Sequence, residues 1–357
     1  MKLSNFPYLI QKEILDCLSI NNLSFLSQCS KNTKNIIQQT QKYRLAKIKS
    51  VHYSIHEERR YTSAEVAPQN PNILMYSIYS KTDFPRNPHG KVIEEVRVNQ
   101  QGAENESFRY RTKKSDAHAK YSGIDNRNLE SIIETIHDPL YNLLGSHAMF
   151  SLETRDGTHS LPMLRNIGKL EIAGDGFSSR KINKFLDQST CLEYFSWGTF
   201  DERRRILREN SKINDLDTLY LDAGRNLATD VMKRFNGRHA FLSGKDVTAT
   251  DVVQFLNAWK SGEKFSNLEV ISIDSVFNIQ QIRDSMDFKH LDKDVIYLFS
   301  RKFREPDSSL STPWEFKSHL YIVRESDGHV ASVMLTDERI FMGVWNMTEE
   351  EFLEKFQ

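Results

Sequence analysis

The sequence predicts a mixed fold, α+β or α/β, in which a small three-helix module precedes a β-rich region and an irregular solenoid of strand–helix units. Three patterns lead to this prediction: helical apolar spacing near the amino terminus, alternation of apolar and polar residues from about residue 51, and a strand–helix repetition from about residue 150. We place the domain limits at residues 1–48, 49–150 and 151–357. A chain of 357 residues is long enough for this division.

The first helix is predicted from a four-residue apolar spacing. Ile10, Ile14 and Leu18 recur at this interval and form one side of an amphipathic helix. Pro7 precedes them, and a first helical turn tolerates proline because the missing N–H would have no helical partner there. The chain is therefore expected to be helical from about Pro7 onward.

Two further short helices follow. Asn21 or Asn22 is predicted to cap the second helix and Ser30 the third, because short polar side chains accept hydrogen bonds from the first helical N–H groups. Cys29 is interpreted as a small packing residue on the apolar side of the second helix.

The apolar residues of this module exceed what three short helices can bury among themselves. We therefore expect either another part of the chain or another protein to cover some of them. The residues concerned are Phe6, Leu9, Ile10, Ile14, Leu15, Leu18, Leu23, Phe25 and Leu26.

A sheet is predicted after the helices, because apolar and polar residues alternate with a period of two. We expect it to be antiparallel, with a polar loop at Asp116–Ser122 and a helix at Leu129–Ile136. The predicted strands are Val51–His56, Ile73–Tyr79, Val92–Val98 and Phe108–Arg111.

Short apolar strands then recur about every 22 to 27 residues, a period within the range of leucine-rich-repeat solenoids. Stacked strand–helix units bury a shared core and present a concave strand face. The predicted strands are Leu170–Ile172, Leu192–Phe195, Leu219–Leu221, Ala240–Leu242 and Leu268–Ile273. The predicted helices are Lys181–Leu186, Glu202–Glu209, Ala228–Phe235 and Ala249–Trp259.

The carboxyl-terminal residues are expected to cap this solenoid. Asp327-Gly328 lies between the apolar runs Leu320–Val323 and Val330–Met334, a strong signal for a β-hairpin. A strand at Ile340–Trp345 and a helix at Thr348–Phe356 complete the predicted cap.

Composition excludes several classes of function. Basic and acidic residues are equal in number, 48 each, which gives no electrostatic reason to expect nucleic acid or an anionic membrane as the main partner. Three cysteines without a CxxC pair argue against a disulfide framework and structural zinc. With neither a signal peptide nor a membrane span, we expect a cytoplasmic or nuclear protein.

The sequence lacks several common motifs of catalytic, nucleotide-binding and metal-binding sites. It contains no Gly-x-Gly-x-x-Gly, no Walker-type phosphate loop, no Gly-x-Ser-x-Gly and no His-Glu-x-x-His. We therefore predict no catalytic residue, no cofactor and no metal.

The amino-terminal segments Phe6–Leu18, Leu23–Leu26 and Cys29–Lys31 resemble an F-box, over roughly residues 3 to 45. In this family the helical module inserts into a Skp-family adaptor, which links the protein to a cullin–RING ubiquitin ligase. Thr33 stands where many F-boxes have tryptophan, which leaves the contribution of the third helix open. The resemblance implies docking roles for Phe6, in place of the usual leucine, and for Pro7, Ile10, Ile14, Leu15, Leu18, Leu23 and Leu26.

The distal part is similar to the type-2 F-box-associated domain, which in such proteins captures the substrate. The residues that carry this resemblance are Asp246–Trp259, Gly262, Asn267–Ile273, Arg324 with Asp327-Gly328, and Phe341 with Val344-Trp345.

These observations predict a non-catalytic substrate receptor of an SCF-type ubiquitin ligase, which would hold a protein target for ubiquitin-dependent degradation. Tyr194, Tyr220 and Phe241, on the predicted concave strands, are the candidate target-binding residues. One alternative is an interaction scaffold whose amino-terminal helices pack onto its own sheet. A second alternative is an enzyme whose site is assembled from distant residues.

Overall fold

The computed structural model describes residues 3–56, 73–79, 94–98, 106–112, 118–122, 129–154, 161–174, 177–199, 210–223, 227–299 and 314–356. The chain divides into two compact units. The first comprises residues 1–171 and 188–191, and the second comprises residues 172–187 and 192–357. The limits of the three predicted domains stay a prediction.

Unit 1 begins with four helices, one more than the sequence predicts. Ser30 caps α3 as predicted, and its hydroxyl accepts a hydrogen bond from Thr33 N at 3.0 Å. The cap of α2 is Ser19, which accepts from Asn22 N at 3.2 Å, so the prediction of Asn21 or Asn22 is wrong by two or three residues. The helices are α1 Tyr8–Asp16, α2 Ile20–Gln28, α3 Lys31–Thr40 and α4 Lys42–Lys47.

The sheet of unit 1 is mixed, with strand order β7-β6-β1-β2-β5-β4-β3. β1 pairs in parallel with β2 and β6, and β2 pairs in parallel with β5. β3–β4 and β4–β5 are antiparallel. The strands are β1 Ser50–His56, β2 Ile73–Tyr79, β3 Glu94–Val98, β4 Glu106–Thr112, β5 His118–Ser122, β6 Met149–Thr154 and β7 Ile167–Ala173.

The predicted antiparallel sheet is therefore wrong for β1 and β2, which pair in parallel, and right for β3 and β4. Alternation with a period of two marks a strand but is the same in both directions, so it does not fix how strands pair. The predicted loop at Asp116–Ser122 is also wrong from residue 118 onward, where β5 lies.

One helix covers a face of this sheet. The predicted helix at Leu129–Ile136 is α5, which continues to Leu144. The imidazole of His137 on α5 lies between two strand residues, 5.7 Å from the ring of Tyr53 and 4.7 Å from that of Phe150, measured between ring centroids. Aromatic packing thus holds α5 on β1 and β6.

Unit 2 contains the predicted strand–helix repetition. β8, β9, β10 and β11 lie side by side in chain order, and each neighbouring pair is parallel. The predicted helix at Glu202–Glu209 lies outside the described residues. The elements are α6 Ser179–Gln188, β8 Tyr194–Thr199, β9 Thr218–Ala223, α7 Leu227–Met232, β10 His239–Ser243, α8 Ala249–Lys260, β11 Val270–Asp274 and α9 Ile279–Ser285.

An antiparallel sheet follows and continues the parallel one, because β15 pairs with β11. The predicted hairpin is β13–β14, with Gly328 in the left-handed region at φ 75°. Sequence reasoning missed the long strand β12. The elements are β12 Lys289–Phe299, β13 Trp314–Val323, β14 His329–Leu335, β15 Arg339–Thr348 and α10 Glu349–Phe356.

A helical amino-terminal region followed by a β-rich region with mixed α and β structure is thus confirmed. Trp197 and Trp259 are fully buried, as expected of core residues. None of the helices in the described ranges combines the length and the apolar character needed to cross a bilayer.

Candidate functional sites

Helix α1 exposes a row of large apolar side chains. Tyr8 is 54% exposed, Leu9 71%, Ile10 45% and Ile14 41%. Ile10 and Ile14 are four residues apart and therefore lie on one side of the helix. Single exposed apolar residues are ordinary, but four on one short helix form a patch that indicates an interaction surface. We call these four residues the α1 apolar face.

Two of the residues predicted to dock a partner have no exposed side chain. Leu15 and Leu23 are 0% exposed, because they form the interior of the helical module itself. The docking role predicted for them stays a prediction, and their burial gives it no support. Helical spacing shows which residues are apolar, but it does not separate those that face the module's own core from those that face outward. Among the remaining predicted residues, Ile10, Ile14 and Pro7 are exposed, and Phe6, Leu18 and Leu26 are partly buried.

The opposite side of the helical module packs within unit 1. α2 contacts α5, and α3 contacts both α1 and α2. The Gln38 amide on α3 donates to the carbonyl of Asn142 on α5 at 3.1 Å. The module is thus attached to the rest of unit 1 through α2, α3 and α4, while α1 keeps its apolar face open.

Polar contacts hold the carboxyl end of α1. Asp16 accepts hydrogen bonds from Lys12 Nζ at 2.6 Å and from Gln41 Nε2 at 2.7 Å. The contact with Lys12, followed by that with Gln41, lowers the pKa of the Asp16 carboxyl group. Since these contacts come from α1 itself and from the start of α4, they fix where α1 ends relative to α4.

The side chains of the α1 apolar face suit apolar contact with a partner. They are hydrocarbon or phenol groups, and the structure, as far as it describes the chain, contains no group of three or more His, Cys, Asp or Glu that could hold a metal ion. Cys29 is exposed at the end of α2, so its interpretation as a packing residue is wrong.

The predicted target-binding residues in unit 2 form a row of adjacent rings. The centroid of Tyr220 lies 6.5 Å from that of Tyr194 and 4.4 Å from that of Phe241. Phe241 is nonetheless only 5% exposed and Tyr194 only 8%. Phe241 packs against β12, where the ring centroid of Phe299 lies 6.0 Å from its own. Tyr220 is only partly buried and keeps more accessible surface than the other two, and the target-binding roles of all three residues stay a prediction.

A polar row that sequence reasoning missed continues this face beyond Tyr220. Asp222, Ser243, Asp274 and Arg339 are register partners on β9, β10, β11 and β15. The Arg339 guanidinium donates to both carboxylate oxygens of Asp274, at 2.6 Å each, and this contact raises the pKa of Arg339. Asp222 is exposed. Only the pairing of β11 with the distant β15 brings Arg339 here, so no local pattern could have indicated the row.

Comparison with known protein families identifies the amino-terminal module. Residues 3–45 match the family model of the F-box domain. This range contains α1, α2 and α3 and most of α4, and it confirms the F-box predicted from the sequence. No curated protein and no solved structure matches the chain.

The match supports an F-box protein. F-box domains bind a Skp-family adaptor within SCF complexes and in general mark a substrate-receptor subunit, and F-box proteins are generally non-catalytic adaptors.

Proposed function

We propose that this chain is the substrate-receptor subunit of an SCF-type ubiquitin ligase in the cytoplasm or nucleus. The α1 apolar face would insert into a Skp-family adaptor, and unit 2 would hold the target protein. The observation that carries the proposal is the exposure of Tyr8, Leu9, Ile10 and Ile14 within a matched F-box domain. Catalysis would come from proximity, since holding a target beside a ubiquitin-loaded enzyme raises the effective concentration of the reacting groups.

The docking half of this proposal follows from interface energetics. Binding energy in protein interfaces is concentrated in a few side chains that become fully desolvated. Ile10 and Ile14 are branched, lie on one side of α1 and already have a fixed backbone. Little conformational entropy would therefore be lost when a partner covers them.

A paired charge substitution tests the docking half. Ile10→Asp with Ile14→Asp should lower the affinity for a purified Skp-family adaptor by at least about a hundredfold, because two carboxylates would be buried against an apolar groove. Leu298→Asp is the matched control, since Leu298 is an exposed aliphatic residue on β12. Both variants should keep the wild-type circular dichroism spectrum. Wild-type adaptor affinity in the double variant would refute the proposal.

For unit 2 we propose a leucine-rich-repeat-like solenoid that serves as an F-box-associated domain of type 2. The parallel adjacency of β8 to β11 supports the first part. The assignment as an F-box-associated domain of type 2 is supported by a contact between two segments that carry this resemblance and are distant in sequence. The guanidinium carbon of Arg324 lies 5.1 Å from the ring centroid of Trp259.

The target surface that we propose is the accessible part of the strand face, from Tyr220 to Asp222 and the Arg339–Asp274 pair. Affinity mass spectrometry under proteasome inhibition, with wild type and Tyr220→Ala, tests it. Proteins that accumulate with wild type should be depleted in the variant, whereas the adaptor should be recovered equally from both. An unchanged set of captured proteins would exclude Tyr220 from the target surface.

The interaction scaffold is the second candidate, and the packing of α2 on α5 favours it. Hydrogen exchange on the isolated protein separates the two functions. Strong protection across the whole range from Ile10 to Leu26 without a partner would favour the scaffold. Protection confined to the buried side of α1 and to α2 would favour the receptor.

A further inference from the structure

Positive charge is concentrated at the end of the F-box. Residues 31–49 contain six basic residues and no acidic one, although the whole chain is neutral. Such a local excess creates a field that attracts acidic partners, even where the net charge of the protein does not. The six residues are Lys31, Lys34, Lys42, Arg44, Lys47 and Lys49.

The part of this segment on and after α4 carries exposed basic side chains. Lys42, Lys47 and Lys49 are exposed, and none of them forms an ion pair with a residue in the described ranges. Tyr43 is 75% exposed, and Lys47 Nζ lies 4.2 Å from the centroid of its ring. We call Lys42, Tyr43, Lys47 and Lys49 the α4 basic face.

The α4 basic face adjoins the end of α1. Gln41 Nε2 donates to Asp16 Oδ1 at 2.7 Å, and Arg44 donates to the carbonyl of Leu18 at 2.8 Å. Leu9 lies seven residues, about two turns, before Asp16 and therefore on the same side of α1. Leu9 belongs to the α1 apolar face and lies on the side of α1 that carries the contact with α4. The α1 apolar face therefore extends to that side of the helix.

A partner that covers α1 is expected to reach α4 as well. Nine helical residues span about 14 Å. A standard protein interface buries about 800 Å² on each partner, which corresponds to a patch nearly 30 Å across. An interface centred on α1 therefore extends past its carboxyl end.

We propose that the α4 basic face binds an acidic surface of the same Skp-family adaptor that covers the α1 apolar face, next to the adaptor's apolar groove. This inference rests on the proposed function and adds the chemistry of the partner. Complementary charge at the edge of an interface mainly raises the association rate, whereas the buried apolar anchors set the dissociation rate. The F-box then has two parts: α4 accelerates encounter, and α1 retains the adaptor.

Charge reversal with a salt series tests the inference on the full-length chain. Lys42→Glu with Lys47→Glu should slow association with the purified adaptor about tenfold at about 50 mM salt. The rates of variant and wild type should converge at about 500 mM, where charge is screened within a few ångströms. The dissociation rate should stay within about twofold of wild type. The matched control is Lys184→Glu with Lys264→Glu, two exposed lysines of unit 2, and its association rate should be unchanged.

The outcomes separate this inference from the proposed function. Equal association rates of wild type and the Lys42/Lys47 variant at low salt would overturn the inference while the receptor function stands. The Lys42/Lys47 variant could instead lose binding to single-stranded RNA or to phosphatidylserine vesicles while its association rate with the adaptor stays unchanged. That result would also overturn the inference. A wild-type chain that does not bind the adaptor at all would refute the proposed function, and this inference with it.

Discussion

The guanidinium of Arg44 on α4 donates a hydrogen bond to the backbone carbonyl of Leu18, just beyond α1, at 2.8 Å. The same side chain donates to the carbonyl of Leu15 at 3.1 Å. The last carbonyls of a helix have no partner within the helix, and a cation there also interacts favourably with the helix dipole. Arg44 therefore ties the carboxyl end of α1, and with it the α1 apolar face, to α4.

Replacing Arg44 by alanine should destabilise unit 1 by about 1.5 to 3 kcal/mol, because charge-assisted hydrogen bonds to partly buried carbonyls are lost. Urea unfolding followed by circular dichroism measures this change. Lys49→Ala is the control and should change stability by less than about 0.5 kcal/mol, since Lys49 is exposed. Equal unfolding midpoints for the two variants would contradict the role of Arg44.

Leu15 and Leu9 are expected to separate folding from docking. Leu15→Ala should cost about 2 to 5 kcal/mol of stability because it leaves a cavity in the module's core. Leu9→Ala should leave the unfolding midpoint nearly unchanged and weaken adaptor binding instead, since Leu9 is largely exposed. Thermal unfolding and adaptor titration should be measured on both variants. A large loss of stability in Leu9→Ala would show that Leu9 is covered by the chain itself.

The β13–β14 hairpin depends on one charge pair. The buried Arg324 donates to Asp327 Oδ2 at 2.6 Å and to the carbonyl of Ser266 at 3.3 Å. The Arg324 guanidinium, followed by His329, holds the pKa of the Asp327 carboxyl group well below its usual range.

Asp327→Asn should therefore destabilise unit 2 by about 1 to 3 kcal/mol near neutral pH, because Arg324 loses its counter-charge. A carboxyl group with a lowered pKa stabilises the folded state above its unfolded pKa, and this stabilisation disappears as the pH falls through the folded pKa. The difference in the free energy of unfolding between variant and wild type should therefore become smaller below about pH 4. Urea midpoints from neutral pH downward measure this difference, with Glu325→Gln as the exposed neighbouring control. A difference that stays constant over the series would contradict the pair's role.

The stability of unit 1 is expected to depend on pH through His137. Burial lowers the pKa of this imidazole to about 4, and its Nδ1 lies 3.1 Å from the hydroxyl oxygen of Tyr53. Below the unfolded pKa of about 6.5, the unfolded chain binds a proton that the folded chain excludes until about pH 4.

The contribution of His137 to the stability of unit 1 should therefore be complete above about pH 6.5. The free energy of unfolding should fall by up to about 3 kcal/mol as the pH is lowered to about 4. Hydrogen exchange of amides in β1 and α5, measured over this range, follows the change. His137→Gln, which does not titrate, should flatten the pH dependence. An identical slope in wild type and variant would exclude His137 as its source.

Local patterns were sufficient to predict most elements. The F-box helices, the strand–helix repetition and the hairpin at Asp327-Gly328 follow from apolar spacing and turn residues, which act between neighbours in the chain. The missed β5 and β12 contain many charged and polar residues, and they lie as strands because β5 pairs with β2 and β4 and β12 pairs with β13. The candidate sites were predicted less well, since accessibility depends on every element that packs nearby.

The sequence by itself determined that this protein carries an F-box with more apolar residues than short helices can bury, because residue type and helical period are local properties. Only the tertiary structure decided that Leu15 and Leu23 face inward while Ile10 and Ile14 stay exposed, and that Phe241 is buried beside Phe299 of β12 while Tyr220 is only partly buried. The physical reason is that burial is set by contacts between segments distant in the chain, and no spacing rule records which segments meet.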